Sequence, residues 1–142
     1  MKYTDIRVII PAFNEQNAVG HVIKEIPKDW VTEIIVVDNG SSDHTFGTAQ
    51  KLGATSLKEP KRGYGWACLK GMDHLSKSDP SPDIVVFLDG DYSDYPSELV
   101  KLVNPIINGM ADIVIGSRKL GIKEPGSMMP QQIFGNWLAT TL

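Results

Sequence analysis

Cysteine and histidine are scarce in this sequence of 142 residues, and basic residues are not in excess. The single cysteine, Cys68, cannot form an intramolecular disulfide, so nothing here indicates an oxidising compartment. The 17 Asp and Glu residues outnumber the 14 Lys and Arg residues, and a net charge of -3 argues against a nucleic-acid-binding protein. The three histidines fall in or at the start of predicted helices, where none is placed to act as a general base.

Long hydrophobic runs are also absent. No apolar run reaches the length that crosses a bilayer, and no signal-type segment follows residues 1–5. A composition of 42% hydrophobic and 22% charged residues is typical of a globular protein with one domain core. We therefore expect a cytoplasmic protein, located at the cytoplasmic face of a membrane if the chain is part of a longer one.

Short apolar runs alternate with segments of helical periodicity along the chain. The apolar runs predict strands over residues 7–10, 33–38, 54–57, 84–88 and 113–115. The periodic segments predict helices over residues 19–26, 44–52, 63–74 and 96–107. This alternation predicts an α/β fold with a mostly parallel, doubly wound sheet and helices on both of its faces. The run over residues 84–88 predicts a central strand that is buried on both faces.

Polar side chains stand where these strands end. In chain order they are Asn14 and Glu15, then Asp38, then Asp89 and Asp91, then Arg118. Because the carboxyl ends of parallel strands meet at one edge of a sheet, we expect one crevice to receive all of them.

The segment Asp89-Gly90-Asp91 carries the main chemical signal. Two carboxylates at the end of a buried strand repel each other and are costly to desolvate, unless a cation binds them. Mg²⁺ or Mn²⁺ takes such oxygen ligands and completes its shell with water and substrate phosphate. Gly90 would let a ligand approach the backbone closely. These three residues alone also fit a surface turn, so both interpretations stay open at this point.

The alternating pattern ends near residue 119. Residues 120–132 are rich in Gly, Pro and Met and predict a mobile loop, and residues 133–142 predict the start of an apolar or amphipathic helix. The aromatic residues Phe134 and Trp137 of that segment fit an interfacial helix and core packing equally well. We expect residues 120–142 to begin an acceptor-side or interfacial part of a longer protein.

Five motifs occur in an order known from one family: Ile10–Glu15, Val36–Asp43, Arg62–Gly65, Leu88–Asp91 and Gly116–Arg118. On these motifs the chain resembles the family-2 nucleotide-sugar glycosyltransferases of the GT-A type. Within them it is most similar to the enzymes that load mannose or glucose onto dolichyl or polyprenyl phosphate. The resemblance implies that residues 1–119 bind a donor of the GDP-mannose or UDP-glucose type. It also implies metal-assisted, inverting transfer of the hexose to a polyprenyl phosphate at a membrane surface.

The resemblance further implies roles for individual residues. The donor-binding residues would be Pro11, Ala12, Asn14, Glu15, Asp38, Gly40, Arg62, Gly63, Gly65, Asp89, Gly90 and Asp91. Among them Asp38 would recognise the base, and Asp89 and Asp91 would bind Mg²⁺ or Mn²⁺. Asp91 and Arg118 would be catalytic, and Arg118 would meet anionic oxygens of either the donor diphosphate or the acceptor phosphate. Gln131 is a candidate contact of the acceptor. Gln131 also fits a solvated loop position.

Two other classes of α/β enzyme fit the sequence less well. A dinucleotide-dependent oxidoreductase would carry its glycine fingerprint directly after the first strand, where this chain has Pro11–Glu15. A sugar-1-phosphate nucleotidyltransferase would carry a glycine-rich and basic first loop, which is also missing. A donor-binding fragment without transfer activity and a transferase acting on a saccharide hydroxyl both stay open. The sequence is compatible with an oligomer and does not fix the sugar or the base.

Overall fold

The computed structural model describes residues 4–117. Within them the strands are β1 (Ile6–Ala12), β2 (Glu33–Asp38), β3 (Thr55–Lys58) and β4 (Ile84–Phe87). The helices are α1 (Val19–Glu25), α2 (Thr45–Lys51), α3 (Tyr64–Ser76) and α4 (Leu99–Ile107), and a short 3₁₀ helix at Pro96–Glu98 precedes α4. Strands and helices thus alternate over this part of the chain, as the periodicity predicts.

The four strands pair in parallel in the order β3-β2-β1-β4. The chain builds outward from β1 to β2 and β3 and then returns to place β4 on the other side of β1. The order of the sheet therefore reverses between β1 and β4. In open α/β sheets, ligands bind outside the carboxyl ends of the strands at such a switch point.

Side chains of β1 alternate between two hydrophobic clusters on opposite faces of the sheet. Val8 and Ile10 are fully buried in the cluster that contains residues of α1, α2 and α4. Ile9 is fully buried in the second cluster, beneath α3. Helix α3 packs closely there, since a Cβ atom on Gly71 would lie 2.7 Å from Cγ2 of Ile9. The predicted parallel sheet with helices on both faces is confirmed.

The predicted strand over residues 113–115 is wrong. Residues 113–115 form no strand, and Ile113 and Ile115 are 80% and 84% exposed. An apolar run becomes a strand only where a neighbouring strand offers its backbone groups, and composition does not show whether one is in reach.

The strand that contains Phe87 also differs from the prediction. Over the described residues β4 lies at an edge of the sheet rather than at its centre. Phe87 is 43% exposed because α3 packs mainly over β1 and β2, so only one face of β4 is well covered.

Strand β1 continues through Pro11 to Ala12, near a strand end where the missing N–H of proline is tolerated. No helix within residues 4–117 combines the length and the apolar character needed to cross a membrane.

A polar network around Arg7 holds the amino ends of the strands together. Its guanidinium donates a hydrogen bond of 2.7 Å to Oδ2 of Asp5 and lies 3.4 Å from Oε2 of Glu33. The hydrogen bond from Arg7 lowers the pKa of Asp5. Burial raises the pKa of Glu33, but hydrogen bonds from Thr55 and His74 and the charge of Arg7 outweigh burial and leave that pKa lowered.

We predict that Arg7→Met lowers the free energy of unfolding by about 1 to 3 kcal/mol near neutral pH, because it leaves Asp5 without its cation and removes one of the two basic partners of Glu33. Because the pKa values of Asp5 and Glu33 are lower in the folded chain, their ionised carboxylates stabilise the fold at pH values above the unfolded pKa of about 4. This stabilisation is lost as the pH falls through the folded pKa values. Urea unfolding across this range should therefore show a weaker acid dependence in Arg7→Met than in the wild type.

Lys101→Met is the control, because it removes an exposed pair with Glu98 on α4. This variant should keep the wild-type acid dependence. An unchanged acid dependence in Arg7→Met would contradict the assigned role of the network.

Candidate functional site

A cavity of about 540 Å³ opens at the carboxyl ends of the strands, at the switch point between β1 and β4. Its lining comes from the ends of three strands and the start of α3. The lining residues are Pro11, Ala12, Phe13, Glu15, Asn39, Arg62, Gly63, Tyr64, Ala67, Asp89, Gly90 and Asp91. The structure thus brings most of the predicted donor-binding residues into one crevice.

Four predicted residues lie beside this cavity and not in its lining: Asn14, Asp38, Gly40 and Gly65. Oδ1 of Asn14 accepts a hydrogen bond of 2.9 Å from the backbone N–H of Ser42. Asp38 is 5% exposed, and its Oδ1 accepts a hydrogen bond of 3.3 Å from the backbone N–H of Ser41. Asn14 therefore joins the loop after β1 to the loop after β2, and Asp38 shapes the second loop. Arg118 and Gln131 lie outside the described residues.

Gly90 separates the two predicted metal ligands, Asp89 and Asp91, in a tightly packed turn. A Cβ atom on Gly90 would lie 3.2 Å from the carbonyl oxygen of Pro11 and 3.3 Å from Cβ of Ala12. Glycine thus lets the loop after β4 approach the end of β1. This approach brings both carboxylates to the cavity.

Both of these carboxylates accept a hydrogen bond from a residue that the structure describes. Oδ1 of Asp89 accepts a hydrogen bond of 3.1 Å from the Tyr64 hydroxyl. Oδ1 of Asp91 accepts one of 2.9 Å from the backbone N–H of Ser93. Tyr92, between Asp91 and Ser93, has a φ of 60°, a left-handed conformation that is rare for a bulky residue and often marks functional turns. These bonds orient the two carboxylates at the cavity.

Glu15 adds a third carboxylate to the lining. Burial raises its pKa, and the charges of Asp91 and Asp43 raise it further. Within residues 4–117 no three His, Cys, Asp or Glu side chains are grouped closely enough to hold a metal ion on their own. A cation here would combine Asp89 and Asp91 with oxygens of water or of a ligand, which is the usual arrangement for Mg²⁺ and suits Mn²⁺. The donor set therefore fits the predicted metal.

Arg62 supplies positive charge to the same cavity. Its Cζ lies 4.0 Å from the ring centroid of Phe13, in cation–π contact. No carboxylate within residues 4–117 forms an ion pair with Arg62. Its guanidinium is therefore available to an anionic ligand, and its planar fork suits phosphate oxygens.

Four lining residues were not singled out in the sequence: Phe13, Asn39, Tyr64 and Ala67. Phe13, Asn39 and Tyr64 each lie inside one of the five motifs, and that position was the usable signal for them. Asn39 precedes Gly40, and this pair predicts only a turn. Ala67 carries no chemical signal.

A family model described as Glycosyl transferase family 2 matches residues 7–141. A dolichyl-phosphate hexose transferase of Haloferax volcanii is 32% identical, over 82% of this chain and 49% of the relative. A UDP-N-acetylglucosamine–dolichyl-phosphate N-acetylglucosaminyltransferase of Methanococcus voltae is 29% identical, over 92% of this chain and 59% of the relative. The chain thus spans about half the length of these two curated relatives.

Among solved structures, the chain is similar to glucosyl-3-phosphoglycerate synthase from Mycobacterium tuberculosis in complex with Mn²⁺ and UDP-glucose. The two are 35% identical and superpose with a TM-score of 0.63. The match covers 75% of this chain and 40% of the synthase chain.

We predict that Glu15→Gln raises the melting temperature by a few degrees near neutral pH in the absence of divalent cations. The pKa of Glu15 is higher in the folded chain than in the unfolded chain, so the ionised form of Glu15 lowers the free energy of unfolding at pH values above the folded pKa. This destabilisation disappears below the unfolded pKa of about 4. Thermal unfolding at neutral and at acidic pH should show a gain only at neutral pH. Asp29→Asn, at an exposed turn after α1, is the control and should leave the melting temperature unchanged at both pH values. A lower melting temperature of Glu15→Gln near neutral pH would contradict this account.

Proposed function

The chain belongs to glycosyl transferase family 2, and we propose that it forms the donor-binding part of an enzyme that transfers a hexose from a nucleotide diphospho-sugar to an acceptor. The observation that best supports this proposal is the composition of the cavity at the switch point. Three carboxylates, those of Glu15, Asp89 and Asp91, line a single cavity there together with the guanidinium of Arg62. No carboxylate within residues 4–117 forms an ion pair with that guanidinium. A diphosphate and a divalent cation together match these charges.

We propose that Asp89 and Asp91 hold Mg²⁺ or Mn²⁺ beside the donor diphosphate. When bound, such an ion neutralises the negative charge that develops on the departing diphosphate. Arg62 supplies a second positive charge to the same oxygens through its fork of N–H donors. Gly63 and Gly90 let the backbone lie close to the ligand. The relative crystallised with Mn²⁺ and UDP-glucose supports this assignment.

For the acceptor we propose a polyprenyl phosphate, which the names of the two dolichyl-phosphate relatives support. The phosphate oxygen of such a lipid is already anionic near neutral pH, so it attacks the anomeric carbon with little help from a base. A single displacement of this kind inverts the anomeric configuration. The acceptor would reach the site from the membrane surface, where Arg118 and Gln131 are the proposed contacts.

A donor-binding fragment without transfer activity is the second candidate for these 142 residues. It is favoured by one observation, since the chain spans only about half the length of the two dolichyl-phosphate relatives. Transfer measured on this chain alone would argue against it.

We predict that Asp91→Asn removes the Mn²⁺ dependence of nucleotide binding and leaves the fold intact. The amide keeps the shape of the side chain but loses the charge that attracts the cation. Calorimetric titration with UDP and GDP should show affinity enhanced by Mn²⁺ in the wild type and not in the variant. Asp73→Asn, at an exposed pair with Lys77 on α3, is the matched control. Metal-dependent affinity that survives in Asp91→Asn would refute the assignment.

We also predict that Arg118→Ala weakens the use of a phosphate-bearing acceptor by at least tenfold, or about 1.4 kcal/mol. The reason is the loss of the guanidinium that we propose to contact the acceptor phosphate. Mass spectrometry of the products, with polyprenyl phosphate and saccharide acceptors offered in parallel to a full-length form, measures the effect. If the melting temperature of Arg118→Ala fell strongly while its use of the acceptor stayed unchanged, Arg118 would have a structural role instead.

A further inference from the structure

The side chain of Asn39 is fully engaged with the loop between β3 and α3. Its Nδ2 donates hydrogen bonds to the carbonyl oxygens of Glu59 at 2.9 Å and Lys61 at 2.8 Å. Its Oδ1 accepts a hydrogen bond of 2.8 Å from the backbone N–H of Gly63. An asparagine amide has two N–H donors, and here both are used. Asn39 lines the cavity and is 6% exposed.

Backbone hydrogen bonds fix Asn39 itself to the sheet. Its N–H donates to the carbonyl oxygen of Ala12 at 2.9 Å, and the N–H of Glu59 donates to the carbonyl oxygen of Asp38 at the same distance. The side chain therefore ties the loop to the carboxyl ends of β1 and β2. The sheet is the rigid part of this arrangement, and the loop is the part that is held.

Residues 60–63 are all exposed and belong to no helix or strand, so burial contributes little to their position. The N–H of Lys61 donates a hydrogen bond to Oε1 of Glu59, and its ammonium lies over the Trp66 ring, but these partners belong to the loop itself and to α3 and not to the sheet. Yet this loop carries Arg62 and Gly63, which line the cavity. The position of the guanidinium over Phe13 therefore depends on the three hydrogen bonds of Asn39.

We propose that Asn39 is a positioning residue for the donor, which holds Arg62 and Gly63 at the cavity without recognising the base. This proposal rests on the proposed function, since it assigns a role within the same donor site. A base that took a hydrogen bond from Asn39 would have to displace a carbonyl oxygen of the loop. Holding the loop in place before the ligand arrives lowers the ordering cost of binding.

The chemistry of the amide explains why this position suits Asn rather than Asp. A carboxylate has no N–H donor and would face the carbonyl oxygens of Glu59 and Lys61 without a proton between them. Asn39→Asp keeps the shape of the side chain and the acceptor for Gly63, but it releases the other two bonds. Asn39→Ala releases all three and adds no charge.

The test compares the affinities of UDP and GDP, measured by calorimetry, in the wild type, Asn39→Ala, Asn39→Asp, Arg62→Ala and the Asn39→Ala/Arg62→Ala double variant. We expect each Asn39 variant to weaken both nucleotides by the same factor, on the order of 10- to 100-fold. Because Asn39 acts through Arg62, adding Asn39→Ala to the Arg62→Ala variant should weaken nucleotide affinity by less than about threefold. Asn108→Asp is the matched control, since it lies at the far end of α4 and should bind as the wild type does.

Three results would overturn the proposal. A changed ratio of UDP to GDP affinity would show that Asn39 contacts the base. Full additivity with Arg62→Ala, or an Arg62→Ala variant with unchanged affinity, would show that Asn39 does not act through Arg62.

Hydrogen exchange separates this proposal from the proposed function. Without ligand, backbone amides of residues 59–63 should exchange faster in Asn39→Ala, while those of β1 and β2 keep their protection. Unchanged exchange in the loop would overturn the positioning role even if both Asn39 variants bind weakly. A wild-type chain that binds neither nucleotide would contradict the proposed function instead.

Discussion

The parallel pairing of β1 with both β2 and β4 is the constraint on which the candidate site depends. Parallel strands end at the same edge, so the loops that follow β1, β2 and β4 begin side by side. Ala12 pairs with Asp38 in this register, and Gly90 packs against the carbonyl oxygen of Pro11. The cavity thus follows from the order in which the chain adds strands to the sheet, and the loops only decide what lines it.

The two ends of the sheet use their charges in opposite ways. At the amino ends Arg7 lowers the pKa of Asp5 and helps to lower that of Glu33, so these carboxylates stabilise the fold. At the carboxyl ends burial and the charge of Asp91 raise the pKa of Glu15, so the ionised form of Glu15 opposes folding. An enzyme can tolerate such repulsion where a cation relieves it on binding, and the opposite end of the same sheet offsets the cost.

Periodicity was enough to predict the fold and the edge of the sheet that carries the site, because both depend on local patterns and one topological rule. Residues such as Glu15, Asp89 and Asp91 could be placed there without coordinates. The bonds that hold the site together could not, since Asn39 meets Gly63 and Tyr64 meets Asp89 only after folding. The strand expected at Ile113 failed for a related reason, because pairing depends on a partner elsewhere in the chain.

The location of the lining residues also divides the proposed reaction into two parts. Among residues 4–117, every residue that lines the cavity lies between Pro11 and Asp91, so the groups that we propose for the donor come from this region. A relative that is 32% identical is named a dolichyl-phosphate hexose transferase, and a solved structure that is 35% identical is a glucosyl-3-phosphoglycerate synthase. Residues shared at this level therefore cannot determine the acceptor. The groups that we propose for the donor thus lie at the described sheet edge, whereas the proposed acceptor contacts, Arg118 and Gln131, lie outside the described residues.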